Sequence, residues 1–170
     1  PDSLVSPLTS SLQQGSEDAA VRAEALDASR SFIVQAPAGS GKTELLIQRL
    51  LVLLAQVDEP EEIVAMTFTR KAAGEMRRRV LQALHQARTA PCPTDVRHKA
   101  LTWELARAVL QRDAERDWQI ESNVSRLRLQ TIDSLCASLT RQMPVLSRFG
   151  AQPEPIEDAS RLYREAARAT

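Results

Sequence analysis

The chain has little of what would mark a special environment. Its 170 residues include 2 cysteines, Cys92 and Cys136, whose separation suits neither a metal site nor a disulfide framework. No apolar run approaches membrane-spanning length without a charge. Residues 1–16 lack the basic, then apolar, then small-residue order of an export signal. An intracellular protein with reduced thiols and no membrane partner is the plain expectation. Lysine is scarce as well: of 22 basic residues only Lys42, Lys71 and Lys99 are lysines.

The net charge of zero conceals an asymmetry. Residues 1–69 carry 4 basic and 10 acidic side chains, a net of −6, whereas residues 70–150 carry 15 basic and 8 acidic, a net of +7. A basic middle section suits a polyanionic partner, although solvated helix faces give the same count. Apolar content of 43% and charged content of 26% are ordinary for a globular chain, and the length allows one domain with a sizeable core.

What is present centres on Ala36-Pro37-Ala38-Gly39-Ser40-Gly41-Lys42-Thr43. The β-like run Phe32-Ile33-Val34 precedes it and an apolar helical run, Glu44 to Ala55, follows. Strand, glycine-bearing loop and helix form the context of a phosphate-binding loop. Gly39 and Gly41 let the backbone turn its N–H groups toward an anion. The following helix aims its positive end at the same anion. Lys42 can reach β- and γ-phosphates, and the Thr43 hydroxyl can ligate magnesium, so ATP and Mg2+ are the expected cofactors. The usual pattern opens with glycine, and Ala36 departs from it.

Along the chain, residues 1–16 read as a flexible arm and Glu17–Asp27 as a short helix. Ser31–Ala36 is predicted as a central strand and Ile63–Phe68 as a second buried one. Leu45, Leu46, Leu50, Leu53 and Leu54 predict a largely buried helix after the loop. Lys71–Ala87 is a helix on the spacing of Ala73, Met76, Val80, Leu84 and Ala87. Pro91 and Pro93 break it, and Asp95–Trp118 forms another helix. Leu127–Gln130 is a third strand, before a helix to about Gln142 that Thr131 or Asp133 can cap. Pro144, Pro153 and Pro155 mark an irregular connection, and Ser160–Ala169 begins a last helix. Strands alternating with helices predict an α/β parallel sheet.

Two further segments repeat the device of strand end, polar residues and helix start. Thr67, Phe68, Thr69, Arg70 and Lys71 follow the second strand, and Gln130-Thr131-Ile132-Asp133-Ser134-Leu135 the third. Ligands collect at the carboxyl ends of parallel strands, where hydroxyls and helix amides suit strand phosphates and Phe68 suits a sugar or base. By spacing alone, a threonine as helix cap with Arg70 and Lys71 in solvent is the slightly better account. Asp133 reads as a cap or hydrogen-bond acceptor rather than a catalytic base.

Taken together, the three segments resemble the N-terminal part of a superfamily 1 DNA helicase of the UvrD/Rep type. V-Q-A-P-A-G-S-G-K-T is similar to that family's Walker A motif. M-T-F-T-R-K-A-A-G-E-M-R-R-R-V resembles motif Ia, usually T-F-T-N-K-A-A-x-E-M, and T-I-D-S-L-C resembles motif Ib, usually T-x-H-x-[FL]. The long spacing between the latter two, and Arg70 in place of the usual Asn, look closer to the RecB/AddA-like helicase–exonuclease branch. The resemblance covers residues 17 to about 158. It implies a RecA-like P-loop NTPase sheet flanked by helices, with the motor domain incomplete at 17–158 and a helical insertion at about 89–125. Residues 1–16 are then a flexible arm, and 159–170 begin a helical subdomain. It further implies ATP and Mg2+ at residues 36–43, and single-stranded or partly duplex DNA at Thr67, Phe68, Thr69, Arg70, Lys71, Thr131 and Asp133. A bacterial cytoplasmic location, a second motor domain in the same polypeptide and a partner helicase–nuclease chain belong to the same expectation. Asp133 stands where the family often has His. An ungapped count puts Val21 at the adenine-reading glutamine; its neighbour Arg22 is the candidate to stack on adenine, with a surface arginine the plainer reading.

Hydrolysis needs carboxylates for magnesium and water at the end of another strand. Leu51–Glu59 imitates that signal, but Asp58 lies 15 residues past Thr43, roughly 20 Å away along a helix that leads off from the phosphates. No catalytic set is complete in this chain, so a fragment inactive in ATP turnover is expected, with Lys42 assisting phosphate chemistry in the whole enzyme. The alternatives are a small-molecule kinase or a nucleotide-dependent regulator on the same loop.

Overall fold

The computed structural model describes residues 19–37, 39–142 and 159–168. The arm at residues 1–16 and the irregular connection at Pro144, Pro153 and Pro155 lie outside the described residues, as does Ala38 within the loop.

Helical residues at 19–24 (α1) lead through turns into a segment without regular secondary structure, 31–37. Helix α2, Lys42–Leu54, then starts on Gly41 and buries Leu45, Ile47, Gln48, Leu50, Leu51 and Leu54. Leu46 is 49% exposed, so α2 is one-faced rather than largely buried as predicted. Its inward positions fall at intervals of three and four, the period of a helix resting on a core. Pro60 opens a single 3-10 turn, Pro60–Glu62, whose capping box has the Glu59 amide donating to the Glu62 carboxylate at 2.8 Å. Strand β1, Val64–Thr67, follows, then α3, Arg70–Thr89. Thr69 caps α3, its hydroxyl accepting from the Ala72 amide at 3.1 Å. Ahead of Pro91 and Pro93 the helix stops, because proline lacks the N–H needed to continue it. Helix α4, Arg97–Arg116, ends on Asp117 in the left-handed region, φ 52°. Strand β2, Arg128–Thr131, completes this unit.

β1 and β2 pair in parallel, with Val64 beside Arg128 and Thr67 beside Thr131. α3 packs on both strands and on α4, and α2 packs on α3 and α4. One continuous core results, in which Leu51, Leu54, Val80, Val109, Trp118 and Leu129 are buried. Fully burying a leucine contributes about 1.5–3 kcal/mol, so α2 is anchored chiefly by this face.

Two predicted features change. Residues 31–36 have no regular secondary structure and join no ladder, and Ile33 is 99% exposed. An apolar run makes a strand only where a neighbour supplies hydrogen-bond partners, and the sheet of the described residues consists of β1 and β2. For the same reason β1 is half-exposed rather than buried, with Val64 and Met66 on its open side.

The chain divides at Thr131. In the second unit, residues 132–170, helices α5 (Ile132–Gln142) and α6 (Ser160–Arg168) are described, and α5 buries no residue. Among the described residues no helix is long and apolar enough to cross a membrane. Cys92 and Cys136 are free thiols.

Candidate nucleotide site and its neighbours

The loop is bent by two glycines in the left-handed region, Gly39 at φ 80° and Gly41 at φ 79°. A side chain at either position is strained, which explains glycine there. Gly41 caps α2, and its carbonyl accepts the Leu45 amide at 3.1 Å, so the loop and the helix start are one structure. The Lys42 ammonium folds back and donates to the carbonyls of Ala36 and Pro37, each at 2.5 Å. Thr43, the predicted magnesium ligand, is exposed in the first turn.

Arg22 sits closer to the phosphate loop than the adenine role implied. Its guanidinium donates to the Ser40 carbonyl and lies 3.4 Å from where a Cβ on Gly41 would stand. Beside it is a cavity of about 370 Å³ lined by Arg22, Phe32, Gln35, Ser40, Lys42 and Leu45 among others. Here the Ser40 hydroxyl is buried and makes no hydrogen bond among the described residues. Two cations and an unsatisfied donor around one cavity fit a phosphate group.

Arg49 is a positioning residue that spacing rules do not reveal. From α2 it donates to the carbonyls of Ala25 at 2.6 Å and Arg30 at 2.7 Å. Together with Arg30 it also covers the Phe32 ring, each guanidinium 5.1 Å from the ring centre. These contacts fix the lead-in to the loop. The available signal was a lone arginine among leucines, which by pattern is a solvated position.

The second and third segments come together through the sheet. The register sets Thr67 beside Thr131, so both strands end at one edge. Thr69 is occupied as a cap, Phe68 is 87% exposed, and Arg70 and Lys71 are exposed at the start of α3. Asp133 lies in the first turn of α5, in the other unit. The structure joins two of the three segments on one sheet edge; the phosphate loop follows 31–37, which stands outside the ladder.

Asp58, the misleading carboxylate, is engaged elsewhere. It pairs with Arg112 at 2.9 Å and with Arg116, both on α4.

An α/β unit whose glycine-bent loop opens a helix, with two polar strand ends on one edge, has the arrangement in which phosphate-binding loops occur. The chain belongs to the UvrD/REP helicase N-terminal domain family, whose family model matches residues 17–164. It is 34% identical over 122 residues to an ATP-dependent helicase/nuclease protein of Desulfitobacterium hafniense, a match covering 69% of this chain and 8% of that protein. With DNA helicase II of Salmonella typhimurium it shares 49% identity over 63 residues, 36% of this chain and 9% of the relative. The exonuclease/helicase protein RexA of Lactococcus lactis is 32% identical over 112 residues, 66% of this chain and 8% of the relative. The chain thus spans less than a tenth of the length of these relatives. No solved structure matches it.

Proposed function

We propose that this chain is the ATP-gripping N-terminal segment of a DNA helicase motor that moves on single-stranded DNA within a larger polypeptide. One observation carries the reading: a left-handed glycine opens α2, with Lys42, Arg22 and the unpartnered Ser40 hydroxyl gathered at a single cavity. When nucleotide binds, Lys42 exchanges two carbonyls for phosphate oxygens. Arg22 supplies a second positive charge beside Gly41 rather than a platform for adenine. Residues 36–43 hold the phosphates, and Thr43 offers its hydroxyl to magnesium.

Thr67, Thr69, Arg70, Lys71 and Thr131 hold the DNA backbone in this reading, with Phe68 against a base and Asp133 at the start of α5. The pairing of Thr67 with Thr131 at one sheet edge supports it, as do the exposed cations of the α3 first turn. The open faces of Val64, Met66 and the 31–37 segment support a RecA-like sheet that continues past two strands. Residues 17–158 are then the partial motor domain, 89–125 its helical insertion, and 159–170 the start of a helical subdomain. The carboxylates for hydrolysis and a second motor domain come from the rest of the polypeptide, and a second helicase–nuclease chain is the further partner.

A regulator that binds nucleotide without DNA is the competing reading, and the occupied cap at Thr69 favours it. Anisotropy of a labelled oligothymidylate decides between them. Binding should weaken as salt rises, with a logarithmic slope of about −0.7 per phosphate contacted, and Arg70→Ala with Lys71→Ala should flatten the slope. Binding that is absent or indifferent to salt sinks the DNA part of the proposal.

A further inference from the structure

A second cavity, of about 550 Å³, lies between α2, α3 and α4 and shares no lining residue with the one beside the phosphate loop. Its size is that of a small-molecule site. Ile47 and Ala83 give it an apolar floor, and Trp103 with Pro91 and Pro93 gives it a flat wall. The wall is fixed in advance. The Trp103 indole N–H donates to the Ala90 carbonyl at 3.0 Å, which ties the proline connection to α4. Arg107 lies over the ring at 5.7 Å and restrains its orientation.

The polar side is fixed too. Gln48, buried on α2, donates to the His98 carbonyl at 3.2 Å and to the Thr102 hydroxyl at 3.0 Å. Thr102 in turn donates to the Glu44 carboxylate at 2.6 Å, so the one acid of the lining is engaged. These bonds pin the first turn of α4, which carries His98 and Lys99, against α2. Neither of those side chains has a hydrogen-bond or ion-pair partner among the described residues. Across the cavity Arg79 meets Glu75 through Nε at 2.7 Å.

We infer that this cavity receives one nucleotide unit, the base against Trp103 and the prolines and the phosphate between Lys99 and Arg79. Aromatic stacking with a neighbouring cation is how proteins hold unpaired bases without reading their sequence. An acidic peptide would use the cations and leave the flat wall unused. The ligand's source is a nucleic-acid strand or a free nucleotide; the strand form rests on the helicase reading above.

The chain has 2 tryptophans, and Trp118 is buried with its indole N–H on the Asp58 carbonyl, so ligand-induced quenching reports Trp103. The experiment titrates the 170-residue chain with oligothymidylate, with thymidine monophosphate and with polyglutamate, following emission alongside anisotropy of the labelled oligonucleotide. Quenching by the oligonucleotide is expected, weakened at least about tenfold by Lys99→Glu, which replaces a charge-assisted phosphate contact with a repulsive carboxylate. Trp103→Phe should abolish the signal and keep most of the binding. Quenching by the mononucleotide without anisotropy change upholds the cavity as a nucleotide site and removes the DNA reading. Anisotropy change with Trp103 emission unmoved overturns the cavity and leaves the DNA reading standing. The inference is also overturned if neither nucleotide ligand moves the emission, if polyglutamate quenches equally, or if Lys99→Glu changes nothing.

Discussion

Gly39 and Gly41 hold nearly the same backbone angle, yet their surroundings separate them. Nothing lies within 4 Å of a Cβ placed on Gly39, whereas one on Gly41 meets the Arg22 guanidinium at 3.4 Å. Both alanine substitutions should lower stability by about 1 kcal/mol through left-handed strain. A Cβ on Gly41 would stand at ordinary contact distance from the Arg22 guanidinium, so neither substitution displaces Arg22 by overlap. Arg22→Ala itself should weaken ATP binding, which calorimetry checks; an unchanged affinity would show that Arg22 does not hold phosphate. Glu75 gives a second residue-scale test. Hydrogen bonds from Arg78, then Arg79, hold its carboxyl at about 2 against an ordinary 4.5. A lowered carboxylate stabilises the fold above its unfolded value and loses that contribution as pH falls through the folded value. The melting temperatures of wild type and Glu75→Gln should therefore differ above pH 4.5 and converge toward about pH 2. The pair is exposed, so the difference should be small.

Among the elements, the turn after α4 contributes more than its length suggests. Asp117 and Gln119 both have positive φ, 52° and 56°, and between and beyond them Trp118 and Ile120 turn into the core. The Asp113 carboxylate holds the bend by accepting the Ile120 amide at 2.9 Å. Arg126 then joins this turn to the 3-10 turn, donating to Glu61 at 2.6 Å and to the Trp118 carbonyl at 3.3 Å. Trp118→Ala should cost about 3–5 kcal/mol, read from urea unfolding. A loss below roughly 1 kcal/mol, as for an exposed site, would contradict the packing described. Helical spacing misses this tryptophan's role because it follows the last turn of α4, where periodicity no longer applies. Helices α2 and α3 were legible because their inward positions recur every three or four residues, and the α3 start because Thr69 is a cap residue. The strand at 31–36 was not, since its residues suit a ladder that the described residues do not provide.

At the scale of the molecule, the hydrophobic cluster runs from Ile47 to Leu129 and lies wholly in the unit that ends at Thr131. Residues 1–131 alone should keep a cooperative urea transition with nearly the midpoint of the whole chain. A loss of cooperativity on that truncation would mean that α5 and α6 complete the core. The basic excess of residues 70–150 is partly spent inside the fold: Arg112 and Arg116 pair with Asp58, Arg126 with Glu61, and Arg88 with Glu121. What remains for a polyanion is smaller than the count of charges, and it includes Arg70, Lys71 and Lys99.

The string of residues was enough to locate the glycine-bent loop, the two threonine-bearing strand ends and the family, because glycine placement, capping chemistry and motif spacing are local properties of a chain. It was enough, too, for the buried stripe of α3, whereas on α2 the predicted Leu46 is exposed and Ile47 and Leu51 are buried instead. Long-range contacts set the rest: Arg22 against Gly41, Arg49 behind Phe32, the Gln48–Thr102–Glu44 chain, and the ion pairs that hold Asp58 to α4. Each joins residues 17 or more positions apart. No sequence window carries such a distance, and packing fixes it only when the helices meet.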